Sequence, residues 1–382
     1  MWKFFDFEGK KIIRSKKNVI IALLLVGTVL GMIALNNQFN HPSLLLTGIQ
    51  EDQRLHEEEL RNARENLERT EEEDAIAWEL ENIERHERQL DLHRRQALAI
   101  NQEDFLLYWT LEAERLEYFV LEGDEVLEFI QASLELGGQI NQSIWMRNKA
   151  FSSETLGRTL SSIVFFFLVI LLFGDVLTKD FENSSISLYS GLVKNKGRIV
   201  FIKFFIAFLL SIALFVGLFL LDNGVRWIVF GRGSFQNPIQ YGMTTVFLAE
   251  GFPSQFAREM EKETILSTIG SFYLTFIGYY LIVVAFLLSC ILALSAFMKK
   301  SLLVIGVLSF SYAVYYFAFD LDERLAIFMS QTPLHFLNIY DVITYSRVFY
   351  DANSLMIGSI YLSVLTVVLL VVAYLKMKYS KI

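Results

Sequence analysis

Cysteine is almost missing from this sequence: Cys290 is the only one, and it lies inside an apolar run. That excludes a disulfide framework and any cysteine-based metal site within one chain. The signatures of common catalytic sites are missing as well. There is no phosphate loop ending in Gly-Lys-Ser/Thr, no His-Glu-x-x-His and no Gly-x-Ser-x-Gly. Gly231-Arg232-Gly233 lacks the lysine and hydroxyl that a phosphate loop needs. Ionisable residues are nearly absent from the apolar runs: Asp175 closes the second, and Lys203 opens the third. An ion-coupled pump keeps a titratable group near the midplane. Without one, energy for any transport has to come from another chain. A nucleic-acid-seeking surface is excluded by a net charge of −8, with the acid concentrated in 51–135 and both termini basic.

What is present is two kinds of chain. Hydrophobic residues make up 53% with a mean hydropathy of +0.40, yet charged residues still make up 20%. Both hold only if membrane spans alternate with a very polar part. Six runs reach the ~20 residues a helix needs to cross a ~30 Å hydrocarbon layer. They are 18–36, 159–177, 199–221, 269–297, 302–319 and 355–375. Backbone groups in lipid find no water, so each run is expected to be helical. The fold class is therefore all-α: a polytopic membrane protein of six spans, with an extracellular helical hairpin or bundle between the first two.

Orientation follows from lysine and arginine. Lys3, Lys10, Lys11, Arg14, Lys16 and Lys17 precede the first run, and Lys179, Lys194, Lys196, Arg198 and Lys203 surround 178–198. Lys299 and Lys300 separate the fourth and fifth, and Lys376, Lys378 and Lys381 follow the sixth. With six spans every cluster falls on one side, which predicts cytoplasmic termini. Residues 1–17 mix Trp2, Phe4, Phe5 and Phe7 with lysines, as an interfacial helix does. The long basic lead and the Asn36-Asn37-Gln38 exit, with no small-residue cleavage site, argue against a cleaved signal peptide.

The insertion 37–158 is polar in its first half. Acid precedes base at i,i+4 in Glu57/Arg61, Glu65/Arg69, Glu81/Arg85, Glu84/Arg88 and Asp91/Arg95, the mark of a solvated helix. Ile76, Ile83, Leu90 and Ala97 form a seven-residue stripe for one packing seam. Its second half is richer in apolar residues and ends at Gly137-Gly138. His86 and His93 are seven apart, but no third ligand stands at i±3 or i±4 from both, so no metal site is expected. The loops 222–268 and 320–354 carry aromatics and the few remaining prolines, and read as surface or re-entrant segments.

Between the second and third runs, Ile186 to Val193 is apolar enough for one short amphipathic helix on the membrane surface, the kind of element a membrane protein offers to a partner. The aromatics of the runs (Phe166, Tyr279, Tyr280, Tyr312, Tyr315, Tyr316) have two readings. They anchor and fill the spans, or they wall a path for an amphipathic substrate.

Three stretches together resemble the membrane subunit of a type-2 ABC exporter, the ABC-2 permease family. Phe7 to Lys17 is similar to the interfacial elbow helix of that family. The stretch with Glu182, Leu188, Asn195-Lys196, Ile199-Val200 and Lys203 is similar to its coupling region, with Ser184-Ser185 in place of Gly-Thr and no proline. Thr332-Pro333-Leu334-His335-Phe336-Leu337 is similar to a stretch before the last span. The resemblance covers the six-span frame and leaves out 37–158. It implies a non-catalytic permease in a bacterial plasma membrane, surrounded by lipid and paired with a second permease copy or a related chain. It also implies a cytoplasmic ABC ATPase that binds ATP and Mg. Glu182, Ile186, Leu188, Tyr189, Leu192, Lys194 and Lys196 would form the contact with that ATPase. The alternative is a non-transporting sensor with a helical extracellular domain; a scaffold holding an external protein is weaker still.

Overall fold

The computed structural model describes residues 2–39, 42–69, 71–119, 127, 130–131, 134–135, 163–183, 196–230, 235, 238–248, 258–321, 323–344 and 354–379. Gly137-Gly138 and Ile186, Leu188, Tyr189, Leu192 and Lys194 lie outside the described residues.

The chain is predominantly helical. In order come α1 (Trp2–Ile13), α2 (Lys16–Phe39), α3 (Pro42–Arg69), α4 (Glu73–Asn101), α5 (Phe105–Phe119), α6 (Ile163–Phe173), α7 (Thr178–Glu182) and α8 (Gly197–Phe230). After β1 (Pro238–Leu248) and β2 (Arg258–Thr268) follow α9 (Ile269–Met298), α10 (Ser301–Leu321), α11 (Glu323–Ser330), a 3-10 turn (His335–Leu337), α12 (Ile339–Thr344) and α13 (Ser354–Tyr379).

Among the described residues, three helices are long and apolar enough to cross a membrane: Gly197–Val225 within α8, α9 and α13. The apolar part of α10, Ser301–Phe317, is shorter, and α6 has 11 residues. The hub is α9: 61% of its most apolar window is buried, against 17% in α13. Thr268 starts α9, its Oγ1 accepting from the Ser271 amide at 3.2 Å. Around α9 one apolar core joins α2, α6, α8, α10, α12 and α13. Outward-facing Leu274, Leu302, Phe310 and Val367 are exposed, as side chains facing lipid are.

The stretch Leu334 to Thr344 folds back into this core. His335, Phe336 and Leu337 are buried, and the Tyr279 hydroxyl donates to the Phe336 carbonyl at 2.8 Å. Gly358 of α13 makes room for that contact. A Cβ there would lie 2.5 Å from the Tyr279 hydroxyl and 2.7 Å from Phe336 Cδ1, whereas one on Gly278 meets nothing within 4 Å. Gly358→Ala is therefore expected to cost about 1–3 kcal/mol by overpacking. Gly278→Ala should be neutral or stabilising, by at most about 1 kcal/mol. Thermal unfolding of both variants in detergent micelles checks the contrast.

β1 and β2 pair antiparallel, from Pro238 against Thr268 to Leu248 against Arg258. The sequence reads 222–268 as a surface loop; the structure forms this two-stranded ribbon within it. Thr244-Thr245-Val246 and Thr264-Ile265 supply the β-branched residues that favour it.

The polar insertion folds as an antiparallel pair, α3 against α4, with α5 packed on α4. The pairing direction is fixed by Arg64 on Glu87 at 2.6 Å and Arg94 on Glu57 at 3.4 Å: one number rises as the other falls. The 28- and 29-residue helices are about 42–44 Å long. Glu72-Glu73-Asp74 marks the break. Clustered acid repels within a helix but suits a new N-terminus, where α4 carries Glu73 and Asp74 in its first turn. Of the expected i,i+4 pairs, Glu65/Arg69, Glu81/Arg85 and Asp91/Arg95 form at 3.6–3.8 Å. Arg61 turns instead to Glu58, Glu57 crosses to Arg94, and Arg88 lies 3.9 Å over the Tyr118 ring.

Where α4 meets α5, Gln96 donates to Glu112 at 2.8 Å and Arg115 donates to it twice, at 2.7 and 2.9 Å. Burial pushes the Glu112 carboxyl up, but Arg115, Gln96 and nearby His93 together hold it below its ordinary value. A depressed folded-state value stabilises above the unfolded value of 4.5 and loses that effect as pH falls through the folded one. Acid should therefore lower the melting temperature of the native chain more than that of Glu112→Gln, below about pH 4.5. Parallel acid titrations followed by circular dichroism test this.

Candidate functional site

The second half of α1, the turn after α6, α7 and the start of α8 meet at the basic end of the bundle. Lys203 is the centre. It sits one turn and a half into α8 and is 1% exposed. It donates to Glu8 Oε2 at 2.7 Å and to the Val176 carbonyl at 2.8 Å, and forms an ion pair with Asp180 Oδ2 at 2.6 Å. Glu8 and Asp180 are as deeply buried, at 1% and 0%. Lys11, one turn after Glu8 on α1, reaches Asp180 Oδ1 at 2.5 Å. Two acids and two bases thus balance in charge. Removing such ions from water costs several kcal/mol each, and mutual attraction returns that only when the geometry is complete. The network holds α1, α7 and α8 in register more than it adds stability.

A second tie runs alongside. Lys17 of α2 pairs with Asp175 at 2.7 Å and donates to the Leu171 carbonyl at 2.8 Å, satisfying an orphan acceptor at the end of α6. Asn18 donates to the Ile12 carbonyl at 2.8 Å and so joins the end of α1 to the start of α2.

Glu182 closes the junction on its other side. Its Oε1 accepts from the Ser301 amide at 2.7 Å and the Ser301 hydroxyl at 2.8 Å, capping α10 from a different element. Those bonds hold its carboxyl below the ordinary value. Lys299 takes a left-handed φ of 57° to turn α9 into α10, a position where glycine is usual. Its ammonium lies 5.7 Å over the Phe181 ring. At the far end of 184–195, Gly197 starts α8 against α13, where a Cβ would meet the Tyr374 ring at 2.5 Å. Glu182→Ala should loosen the α7–α10 tie by less than about 1 kcal/mol, because water screens this exposed carboxylate. Amide hydrogen exchange at the start of α10 would rise, with little change in melting temperature.

Of the sequence-predicted contact residues, Glu182 and Lys196 are described, and they flank the segment 184–195. Glu182 faces Ser301 rather than standing free. Lys196 accepts the Ile199 amide on its carbonyl at 3.1 Å as α8 begins. The predicted path aromatics are packed into the core. Phe166, Tyr279, Tyr280, Tyr312 and Tyr315 are buried, and Tyr316 is half-buried. Phe166 meets Tyr312 at 5.0 Å between ring centres, and Tyr280 meets Phe215 at 4.3 Å. Tyr315 and His335 Nδ1 are hydrogen-bonded at 3.1 Å. Sequence reasoning missed Glu8 and Asp180 as partners of Lys203, and Lys11 as a second partner of Asp180. The available signal was a lysine inside an apolar helix, which has to find an acid.

No family model matches the chain, and neither a curated protein nor a solved structure does.

Proposed function

We propose that this chain is the permease subunit of an ATP-driven exporter of the ABC-2 type, a passive gate moved by an ATPase on another chain. In this reading α2, α6 with the residues before it, and α10 cross the membrane beside α8, α9 and α13. The basic end of the bundle faces the cytoplasm, and the α3–α5 domain lies outside. Two copies, or one copy and a related chain, enclose the route for an amphipathic substrate such as a peptide, an antibiotic or a lipid-like molecule.

The observation that carries the reading is how the segment 184–195 is mounted. It leaves α7 at Glu182, which is fastened to α10, and returns at Gly197, which is wedged against α13. Between those anchors sits the buried network of Glu8, Lys11, Asp180 and Lys203. A push on the segment would reach α1, α8, α10 and α13 together, as rigid-body rocking requires.

Purifying the full chain from its native membranes in mild detergent tests this. An ATP-binding-cassette ATPase should co-purify, and its turnover should change with the permease present. Uphill substrate movement by the purified chain alone would overturn the reading.

A further inference from the structure

The α3–α4 pair brings together histidines that are far apart in sequence. His56 comes from α3, His86 and His93 from α4. The His56 ring centre lies 5.5 Å from each of the other two, nearly parallel to His93 at 15°. Glu59, one turn after His56, places a single oxygen between two of the rings. Its Oε2 is 2.9 Å from His56 Nδ1 and 3.4 Å from His86 Nδ1. The donor atoms of His56, Glu59 and His86 all lie within 4.8 Å of one another.

From this geometry we infer a divalent transition-metal site, of the kind Zn2+ takes, formed by His56, Glu59 and His86 across the α3–α4 seam. Four ligands at about 2.0–2.1 Å in a tetrahedron stand about 3.3 Å apart. The two measured separations straddle that value, so a metal would need only tenths of an ångström of adjustment there. The donor chemistry fits as well: two imidazoles and one carboxylate suit zinc, and the lack of thiolates disfavours softer ions such as Cu(I). His86 Nδ1 is buried without a hydrogen-bond partner and lies 3.4 Å from the same oxygen.

Around the ligands lies a supporting layer. His93 stacks on His56 while its Nδ1 is 3.1 Å from Gln96, which in turn donates to Glu112. Such outer contacts orient ligating rings. In this proposal a water completes the fourth position. The site clamps α3 to α4 midway along a seam whose other cross-links are exposed ion pairs such as Arg64/Glu87 and Arg94/Glu57. It does not depend on what the spans carry, so it can stand or fall apart from the exporter reading.

The test uses the full chain in detergent micelles, stripped with a chelator and titrated with Zn2+ and, separately, with Co2+. One equivalent of Zn2+ should bind at micromolar concentration or tighter and raise the melting temperature. Co2+ should give the intense visible absorption of a four-coordinate ion. His86→Ala and Glu59→Gln should each weaken Zn2+ binding by at least about tenfold. Glu65→Gln, an exposed change more than a turn beyond Glu59 on α3, should not. Glu59 is half exposed, so its variant decides the matter even if a histidine variant loses helix. The proposal is overturned if the native chain binds no Zn2+ in that range, or if Glu59→Gln binds it as the native chain does.

Discussion

Replacing Lys203 with Met is expected to destabilise the fold by about 3–5 kcal/mol, the largest single-residue effect in the molecule. The reason is what stays behind. Glu8 and Asp180 are 1% and 0% exposed and would share the one remaining cation, Lys11. Methionine fills much of the lysine volume, so lost packing adds little. The sign of the effect can be separated from general damage by a second change. Lys203→Met with Glu8→Gln leaves Lys11 opposite Asp180, an equal count of charges, and should recover most of the loss. Denaturant unfolding in micelles, followed by helix content, reads both. If the double variant is as unstable as the sum of the singles, the charges act independently and the network is not a unit.

Placing Glu at both Tyr189 and Leu192 is expected to leave the fold intact and weaken ATPase association by about a hundredfold or more. Each apolar side chain, if buried on docking, contributes about 1.5–3 kcal/mol. Two of them amount to at least about 2.7 kcal/mol, the equivalent of a hundredfold in affinity. The charge change adds to this by placing carboxylates in a water-excluding contact. The two experiments diagnose different layers. Loss of Lys203 removes folded protein; on the proposed exporter reading, loss of Tyr189 and Leu192 removes a partner. Unchanged association and turnover in the double-glutamate variant would mean that 184–195 is not the contact.

Of the six runs expected to span, three are long and apolar enough among the described residues, in α8, α9 and α13. The fourth run, 269–297, appears as α9, Ile269–Met298, almost residue for residue, since Thr268 caps its start and Lys299 turns its end. The junction was not legible. Glu8 and Lys203 are 195 positions apart, and no local pattern pairs residues at that distance. Glu8 in the basic lead reads as one more surface charge until α1 is folded against α8. The helical insertion lies between these cases. Its amphipathic seam was visible in Leu90 and its neighbours, and the break near Glu72 had its signal in clustered acid, hidden among the charged residues on either side. The histidine site shows the same limit: a search for ligands along one helix finds His86 and His93, and only the antiparallel pairing supplies His56 and Glu59. The ribbon β1–β2 had its β-branched signal, masked by glycines and aromatics that fit a surface loop equally well.

The central claim is that a short cytoplasmic segment between α7 and α8 is where an outside force enters a passive bundle. Its most direct test is the side of the membrane on which that segment lies. Cysteine at Ser190, with Cys290 replaced by serine, should react with a membrane-impermeant maleimide only after cells are opened, and should be shielded when the ATPase is bound. Labelling of Ser190→Cys in intact cells would contradict the account.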